Sequence, residues 1–272
     1  MLTRSQILEL LDQHDVRPSR ALGQNFVADP NTVRRIARLA EVGPGDHVVE
    51  VGPGLGSLTL ALAEAGASVV AVELDRHLVP LLRSVVAGHD VTVVEGDAAL
   101  VDWTALLAGH DRWALVANLP YNVATPLVLD LLDGVPAIDR MLVMVQREVA
   151  ERLAAAPGTK AYGIPSVKVA YHATADVVGR VPATVFVPTP RVESALVRIT
   201  RRPGGPATAA DPDRLFAFVR AGFGQRRKML RRSLAGMVDD AAFAGASVRP
   251  EARAEELTVE DWGRLATAAP AP

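Results

Sequence analysis

Three strand ends carry residues that could bind a nucleoside. Residues 52–56 read Gly-Pro-Gly-Leu-Gly between a predicted strand and a predicted helix. Glycine permits a tight turn and close approach of a ligand, and the helix N-terminus favours polar or anionic groups. Glu73 and Asp97 end the next two strands, where one carboxylate could accept from ribose hydroxyls and the other from an adenine amine. The G-x-G-x-G spacing differs from the dinucleotide pattern, so NAD remains a competing ligand.

A tetrapeptide after the fourth strand, Asn118-Leu119-Pro120-Tyr121, suits chemistry at an exocyclic adenine amine. The N6 lone pair is delocalised into the ring and is a poor nucleophile. The Asn118 amide oxygen and the carbonyl of Leu119 or Pro120 could both accept from N6–H and draw the nitrogen toward a tetrahedral geometry. Pro120 fixes φ and aims the carbonyl, while Tyr121 could stack on an extruded base. No strong general base is needed, because methylation makes the nitrogen more acidic. The alternative is an ordinary strand–turn–helix connection.

The elements that position these groups alternate along the chain. Strands are predicted at residues 47–51, 68–73, 91–95, 114–117 and 141–146, and helices at 57–65, 76–86, 125–132 and 148–155. This alternation is typical of a parallel sheet covered on both faces, which binds ligands at the carboxyl edge of its strands. Residues 166–172 and 195–200 are predicted to be late strands, antiparallel at an edge. We therefore expect an α/β, Rossmann-like sheet that is mostly parallel.

Both ends of the chain are predicted to be helical. Asn31 or Thr32 is expected to cap a helix over 33–39. A Pro-, Gly- and Ala-rich stretch at 201–213 marks a boundary, which predicts one domain over 1–200 and a small all-helical domain over 207–272. Helices are predicted at 214–237 and 259–266, and the terminal Ala-Pro residues are expected to fray.

Composition excludes several classes of site. The chain has no Cys, and its six His residues are widely spaced, so we expect no metal site. No apolar run is long enough to span a membrane or to act as a signal peptide, which favours a cytoplasmic location.

The net charge of −2 conceals a segregation of charge near the C-terminus. Residues 221–237 contain five basic residues and no acidic one, whereas residues 239–261 are rich in acids. The basic residues are Arg226, Arg227, Lys228, Arg231 and Arg232. We expect them to form a basic helix face that contacts RNA phosphates, rather than a merely solvated face.

The G-x-G-x-G loop followed by an acid on the second strand resembles the class I S-adenosylmethionine-dependent methyltransferases. Further runs, Gln24–Val27, Asn118–Leu127 and Phe186–Ser194, extend the resemblance over roughly residues 18–235. Together they resemble the ribosomal RNA adenine N6,N6-dimethyltransferases, in the KsgA/RsmA branch. The resemblance implies transfer of two methyl groups to each of two adjacent adenines near the 3′ end of 16S rRNA. It also implies a class I methyltransferase fold with a small helical C-terminal domain.

The resemblance also assigns roles to residues of this chain. The cofactor, S-adenosylmethionine, would contact Asn25, Val27, Gly52, Gly54, Glu73, Asp97 and Asn118. Asn118 and Tyr121 would be catalytic. Leu119, Pro120, Tyr121 and Phe186 would surround the target adenine, and Arg227, Lys228 and Arg231 would bind RNA. The expected partner is 16S rRNA within the small ribosomal subunit or its precursor, bound by a monomer.

Two rival functions remain open. One is an erythromycin-resistance-type methyltransferase, which modifies one adenine of large-subunit rRNA. Such an enzyme shares the fold and the Asn-Leu/Ile-Pro-Tyr motif. The extension Asn122–Leu127 and the stretch Phe223–Lys228 favour the small-subunit branch. A non-catalytic assembly factor is the other rival, but a pure binder has no need of Glu73, Asp97 and Asn118 together. The N-terminal arm, residues 1–20, has as many acidic as basic residues, so it carries no excess of positive charge for binding RNA.

Overall fold

The computed structural model describes residues 1–270 and contains a seven-stranded sheet. Its strands lie in the order β4-β3-β2-β5-β6-β9-β7. They are β2 (His47–Val51), β3 (Ser68–Glu73), β4 (Val91–Glu95), β5 (Trp113–Asn118), β6 (Ile138–Gln146), β7 (Ala173–Val181) and β9 (Ser194–Arg201). The pairings among β2 to β6 are parallel, and β9 is antiparallel to β6. The predicted mostly parallel sheet with antiparallel pairing toward one edge is confirmed.

A second, two-stranded sheet pairs β1 (Phe26–Val27) with β8 (Phe186–Val187). The helices around the sheets are α1 (Arg4–Gln13), α2 (Pro30–Ala40), α3 (Ser57–Glu64), α4 (Val79–Val85), α5 (Trp103–Leu106), α6 (Ala124–Gly134) and α7 (Arg147–Leu153). The predicted cap of α2 is wrong by a few residues. Asp29 is the N-cap, and its carboxylate accepts from the Thr32 amide at 2.9 Å, because Pro30 already occupies the first turn.

The carboxyl ends of the central strands are level with one another. The Gly52 amide donates to Val72 O at 3.0 Å, and the Gly96 amide donates to Glu73 O at 2.9 Å. Strand order changes direction at β2, which lies between β3 and β5. The loops that follow these strands therefore open at the same edge, as the sheet of an open α/β fold requires for ligand binding.

The chain divides into two compact units. One comprises Met1–Ala150 and Asp176–Thr200; the other comprises Glu151–Ala175 and the chain from Arg201 onward. The second unit contains α8 (Ile164–His172), α9 (Pro212–Gly224), α10 (Leu230–Ser233), α11 (Asp240–Gly245) and α12 (Val259–Ala268). Residues 151–175, which the sequence assigned to the first domain, thus belong to the second unit. The predicted end of the chain lies partly outside the described residues, since Ala271 and Pro272 are not among them.

Residues 166–172 form part of α8, so the strand predicted there is wrong. Alternating Val167, Val169 and Tyr171 imitate a strand, but Pro165 stands in the first turn of a helix. Val167 and Tyr171 pack in one apolar cluster with Leu215 and other residues of the second unit. Tertiary burial of that face therefore overrides the strand-like alternation.

The continuous helix predicted over 214–237 is also wrong. Helix α9 ends at Gly224, and only the short α10 follows. The amides of Leu230 and Arg231 donate to Ala252 O and Pro250 O instead of continuing the helix. None of the helices within residues 1–270 is long and apolar enough to cross a membrane.

Candidate active site

A cavity of about 370 Å³ opens at the carboxyl ends of β2, β3, β4 and β5, within the first unit. It is lined by every residue that the sequence proposed for the cofactor, but by only some of those proposed for the acceptor. Those lining it are Asn25, Val27, Gly52, Gly54, Glu73, Asp97, Asn118 and Pro120. Leu119, Tyr121 and Phe186 are not among the lining residues. Four strand ends and the segment around β1 thus converge on one space of nucleoside size.

Glu73 connects the second strand end to the glycine loop. It is 5% exposed, and one carboxylate oxygen accepts from the Gly54 amide at 2.9 Å while the other accepts from the Asp75 amide at 2.8 Å. Burial raises the pKa of Glu73 above its ordinary value. The carboxylate therefore holds the loop in shape and keeps its remaining lone pairs for hydroxyl donors.

Gly54 is required by both backbone and space. Its φ is +60°, and a Cβ there would lie 2.8 Å from the ring of Phe26. A side chain would strain the backbone and displace β1 from the cavity wall. The loop and the segment before β2 therefore form one continuous surface.

The side chain of Asn118 is fixed by the segment that precedes β1. Its Nδ2 donates to the backbone carbonyl of Asn25 at 3.0 Å, and the side-chain amide of Asn25 donates in turn to Gly23 O at 3.0 Å. Because a backbone carbonyl can only accept, the amide nitrogen of Asn118 must face it, which leaves Oδ1 as the acceptor for a ligand. The side chain is thereby oriented before any ligand binds.

Of the two proposed carbonyl acceptors, Leu119 is the better one. The Pro120 carbonyl already accepts from the amides of Val123 and Ala124 at 3.2 and 3.1 Å. Leu119 is anchored by its own amide, which donates to Met144 O at 3.1 Å. The Leu119 carbonyl is therefore the less engaged of the two, although Leu119 is not among the residues that line the cavity.

Comparison with known proteins identifies the family. The model for the family described as Ribosomal RNA adenine dimethylase matches residues 17–269. The chain belongs to this family. A Kineococcus radiotolerans protein named Ribosomal RNA small subunit methyltransferase A is 50% identical over 277 residues, covering 99% of this chain and 92% of that protein. A Streptomyces coelicolor protein of the same name is 50% identical over 275 residues, covering 98% of this chain and 96% of that protein.

Solved methyltransferases share the fold of this dimethylase-family chain. The 23S rRNA methyltransferase ErmE superposes with a TM-score of 0.70 at 27% identity, over 89% of this chain and 98% of that one. A dimethyladenosine transferase from Plasmodium falciparum gives a TM-score of 0.72 at 22% identity, over 87% of this chain and 94% of that one. The class I, Rossmann-like methyltransferase fold predicted from the sequence is confirmed.

The two aromatic residues expected around the target base differ in their surroundings. Tyr121 is half-buried, and its hydroxyl lies 2.7 Å from Ser194 Oγ; burial raises the pKa of this phenol. Phe186, in contrast, is 0% exposed and packs in the core of the first unit, with Val27 opposite it in the β1–β8 pair. Its ring offers no surface to a base, so the expected role as a pocket wall is not met in this structure.

The basic residues lie in the second unit, on a turn rather than on one helix face. Arg227 and Lys228 are exposed between α9 and α10, and Arg231 and Arg232 are exposed on α10. Arg231 lies 3.5 Å from Glu251. Arg226 pairs with Glu255 at 2.5 Å and donates to Lys160 O, so it has a structural role. Over residues 1–270, Arg227, Lys228 and Arg232 have no ion-pair partner and are the better candidates for phosphate contacts.

Glu50, Ser57 and Trp103 are among the lining residues that the sequence analysis did not propose. Glu50 is 1% exposed and accepts from Thr59 Oγ1 at 2.6 Å, and its burial raises its pKa to about 8. Glu50 could have been proposed from the sequence, because it is an acid within the apolar strand predicted at 47–51. Trp103 is held at the cavity by a hydrogen bond from Nε1 to Ala98 O at 3.2 Å. Within the described part of the chain, no group of His, Asp or Glu side chains could hold a metal ion.

Proposed function

We propose that this protein binds S-adenosylmethionine in the cavity and dimethylates N6 of two adjacent adenines near the 3′ end of 16S rRNA. The acceptor would be the small ribosomal subunit or its precursor. The enzyme would act in the cytoplasm as a monomer. The observation that carries the proposal is the fixed orientation of Asn118, whose Nδ2 donates to Asn25 O and which lines the same cavity as Glu73 and Asp97. Relatives named for the small-subunit RNA supply the choice of substrate.

The first unit would act as the methyltransferase domain. Glu73 lies where it can accept from ribose hydroxyls, and Asp97 where it can accept from the adenine amine of the cofactor. One Asp97 oxygen accepts from the Ala99 amide at 2.9 Å, which orients the carboxylate. Gly52, Gly54, Asn25 and Val27 would surround the methionine end. When bound, the cofactor supplies the electrophilic methyl group.

Asn118 and the Leu119 carbonyl would activate the acceptor. Both accept from the N6 amine, which draws its lone pair out of conjugation and aims it across the cavity. Tyr121 would stack on the extruded adenine, with its hydroxyl held by Ser194. The proton leaves after methylation has made the nitrogen acidic, so no dedicated base is required. Pro120 keeps the turn rigid between Asn118 and Tyr121.

The second unit would supply contacts to RNA phosphates. Arg227, Lys228 and Arg232 are exposed and unpaired within residues 1–270, and Arg231 adds a fourth charge close to Glu251. Such contacts position a structured RNA without reading its sequence. They would therefore govern affinity for the subunit more than the chemistry at N6.

A labelling experiment tests the proposal. Purified protein is incubated with methyl-labelled cofactor and either small or large ribosomal subunits from cells that lack this modification. Label in two adjacent adenines near the 3′ end of 16S rRNA supports the proposal. Label confined to 23S rRNA would instead favour an activity like that of ErmE, whose structure this chain resembles. Absence of label in either RNA, with both subunits bound, would indicate a binding factor and overturn the proposal.

A further inference from the structure

Gln24 forms hydrogen bonds through both ends of its side-chain amide. Its Oε1 accepts from the Ser19 amide at 2.7 Å, and its Nε2 donates to Asp75 Oδ2 at 2.8 Å. The main-chain amide of Gln24 also donates to Ser19 O at 3.1 Å. Gln24 lines the cavity, whereas Asp75 is not among the lining residues. The side chain therefore ties the segment before β1 to the loop after β3 at the edge of the cavity.

Asp75 connects this hydrogen bond to the carboxylate proposed for the ribose. The Asp75 amide donates to one oxygen of Glu73, whose other oxygen accepts from the Gly54 amide. Asp75 Oδ1 accepts from the His77 amide at 3.0 Å, so each carboxylate oxygen of Asp75 has a donor. Gln24, Asp75 and Glu73 therefore form one continuous chain of hydrogen bonds on the cofactor side of the site.

The residues before and after Gln24 contact the acceptor side instead. The Asn25 carbonyl accepts from Nδ2 of Asn118 at 3.0 Å. Gly23 has a φ of +66°, and a Cβ there would lie 3.2 Å from Pro120 Cβ. Gly23 thus packs closely on the turn that follows Asn118. Three consecutive residues therefore link the acceptor turn to the loop after β3.

The orientation of Asn118 depends on where the Asn25 carbonyl lies, because hydrogen bonds weaken steeply when their angle closes. After Asn25, the chain is held by β1, in which Phe26 pairs with Val187. Before Asn25, it is held by the side chain of Gln24. Loss of the second attachment would let the carbonyl move away from the position that orients Asn118.

We propose that Gln24 is a positioning residue that couples the cofactor side of the site to the acceptor side through its hydrogen bond to Asp75. The inference rests on the proposed function, which assigns Glu73 to the cofactor and Asn118 to the target adenine. Gln24 acts through Asp75 and Asn25 and not on the reacting atoms. Breaking the hydrogen bond should therefore slow methyl transfer even at saturating cofactor, because Asn118 is no longer held in one orientation.

An exchange of donor and acceptor between the two side chains tests the proposal. Gln24→Glu keeps an oxygen for the Ser19 amide but places a second carboxylate against Asp75. Asp75→Asn keeps its one oxygen for the His77 amide and turns its NH₂ toward the Gln24 donor. The double variant again places one donor against one acceptor, with the roles exchanged.

The measurement is kcat for transfer from methyl-labelled cofactor to small subunits, with the cofactor saturating. We expect kcat to fall about tenfold or more in each single variant, since a hydrogen bond to a carboxylate is lost and a repulsive contact replaces it. In the double variant kcat should recover to within about threefold of wild type. A residue that only fills space would not give this recovery.

Gln13→Glu is the matched control. Gln13 is an exposed glutamine of α1, and its Nε2 also donates to a carboxylate, that of Glu9, at 3.1 Å. The variant therefore makes the same change in charge and the same contact between two carboxylates away from the cavity-lining residues. We expect its kcat to stay within about twofold of wild type.

Several results would overturn the inference. Wild-type kcat in either single variant would remove the hydrogen bond from the reaction, and a raised KM for the cofactor with unchanged kcat would limit Gln24 to binding. A double variant that is no faster than the better single variant, or that does not fold, would show that this pair does not connect the two sides. A wild-type protein that transfers no methyl group to small subunits would instead overturn the proposed function, a result that needs no variant.

Discussion

At the scale of single residues, the site depends on which atoms are already engaged within the protein. Asn118 uses its donor on Asn25 O and keeps its acceptor, while Glu73 uses both oxygens to hold backbone amides. Hydrogen-bond accounting therefore assigns Asn118 and Glu73 distinct parts in binding and orientation.

Replacing Asn118 tests the acceptor role. Asn118→Ala removes Oδ1, so methyl transfer to small subunits should fall by about a hundredfold or more, as when an oriented polar group that faces the reacting atoms is removed. Subunit affinity, measured separately by filter binding, should change little. Asn31→Ala, at an exposed asparagine on α2, should keep full activity. Undiminished transfer by Asn118→Ala would remove this residue from the chemistry.

Glu73→Gln tests the carboxylate that supports the glycine loop. A carboxamide has one oxygen, so it can accept from only one of the Gly54 and Asp75 amides and must turn its NH₂ toward the other. We expect calorimetric affinity for S-adenosylhomocysteine to fall about tenfold or more. Glu95→Gln, at the exposed end of β4 and in register with Glu73, is the matched control. Equal affinities of both variants and wild type would contradict the assignment.

Glu50 gives a pH dependence of stability with a definite sign. Burial raises the pKa of Glu50 to about 8 from an ordinary value near 4.5, so the folded state keeps a proton that the unfolded state loses. Protonated Glu50 contributes its full stabilisation below about pH 4.5. This contribution is lost as the pH rises from about 4.5 to about 8, at about 1.4 kcal/mol per pH unit.

Glu50→Gln removes this pH dependence while keeping an oxygen that can accept from Thr59. Relative to wild type, its free energy of unfolding in urea should rise by roughly 2 to 3 kcal/mol from about pH 5.5 to about pH 7.5. A constant difference between Glu50→Gln and wild type over this range would mean that Glu50 is ionised in the fold.

At the scale of elements, the basic residues act as a turn followed by a short helix. Helix α9 ends at Gly224, and the amides of Leu230 and Arg231 donate to the segment 250–252. Arg227 and Lys228 are exposed in the turn between α9 and α10. The exposed charges are thus held by the tertiary structure of the second unit. The positively charged side chains are therefore exposed on a turn and a short helix, and not along one face of a long helix.

Replacing Arg227, Lys228 and Arg232 together by Ala tests the RNA interaction. Binding to small subunits should weaken. The plot of log affinity against log salt concentration should also become less steep, by about 0.7 to 0.9 in slope for each phosphate that is no longer neutralised. Arg34, Arg38 and Arg83, exposed arginines of the first unit, give a control variant with the same change in net charge. An unchanged slope for the first variant, or the same weakening for both, would exclude a specific interaction at this turn.

At the scale of the whole molecule, the residues proposed for cofactor and for phosphate belong to different compact units. Binding of S-adenosylhomocysteine should therefore slow hydrogen exchange in the first unit, at the glycine loop and around residues 73–75 and 118–124. Exchange in the core of the second unit, within α9 and α12, should stay unchanged. Protection confined to the second unit would contradict the location of the cofactor site.

The sequence by itself determined the five central strands and the edge at which the site opens. Buried parallel strands are continuous apolar runs that end at Gly, Pro or polar residues, so β2, β3 and β4 match their predicted bounds and β5 and β6 extend them by a few residues. Glu73, Asp97 and Asn118 follow from those ends. These features are encoded locally, because each strand and the turn after it lie within one short segment.

Only the tertiary structure decided the features that depend on distant partners. Residues 166–172 became a helix because the second unit buries their apolar face, and Phe186 became a core residue because β8 pairs with β1. In place of one helix over 214–237, α9 ends at Gly224, and the amides of Leu230 and Arg231 donate to the distant segment 250–252. Glu50 and Ser57 entered the site for the same reason: a side chain's burial and its hydrogen-bond partners are set by segments far away in sequence, which local propensity does not contain.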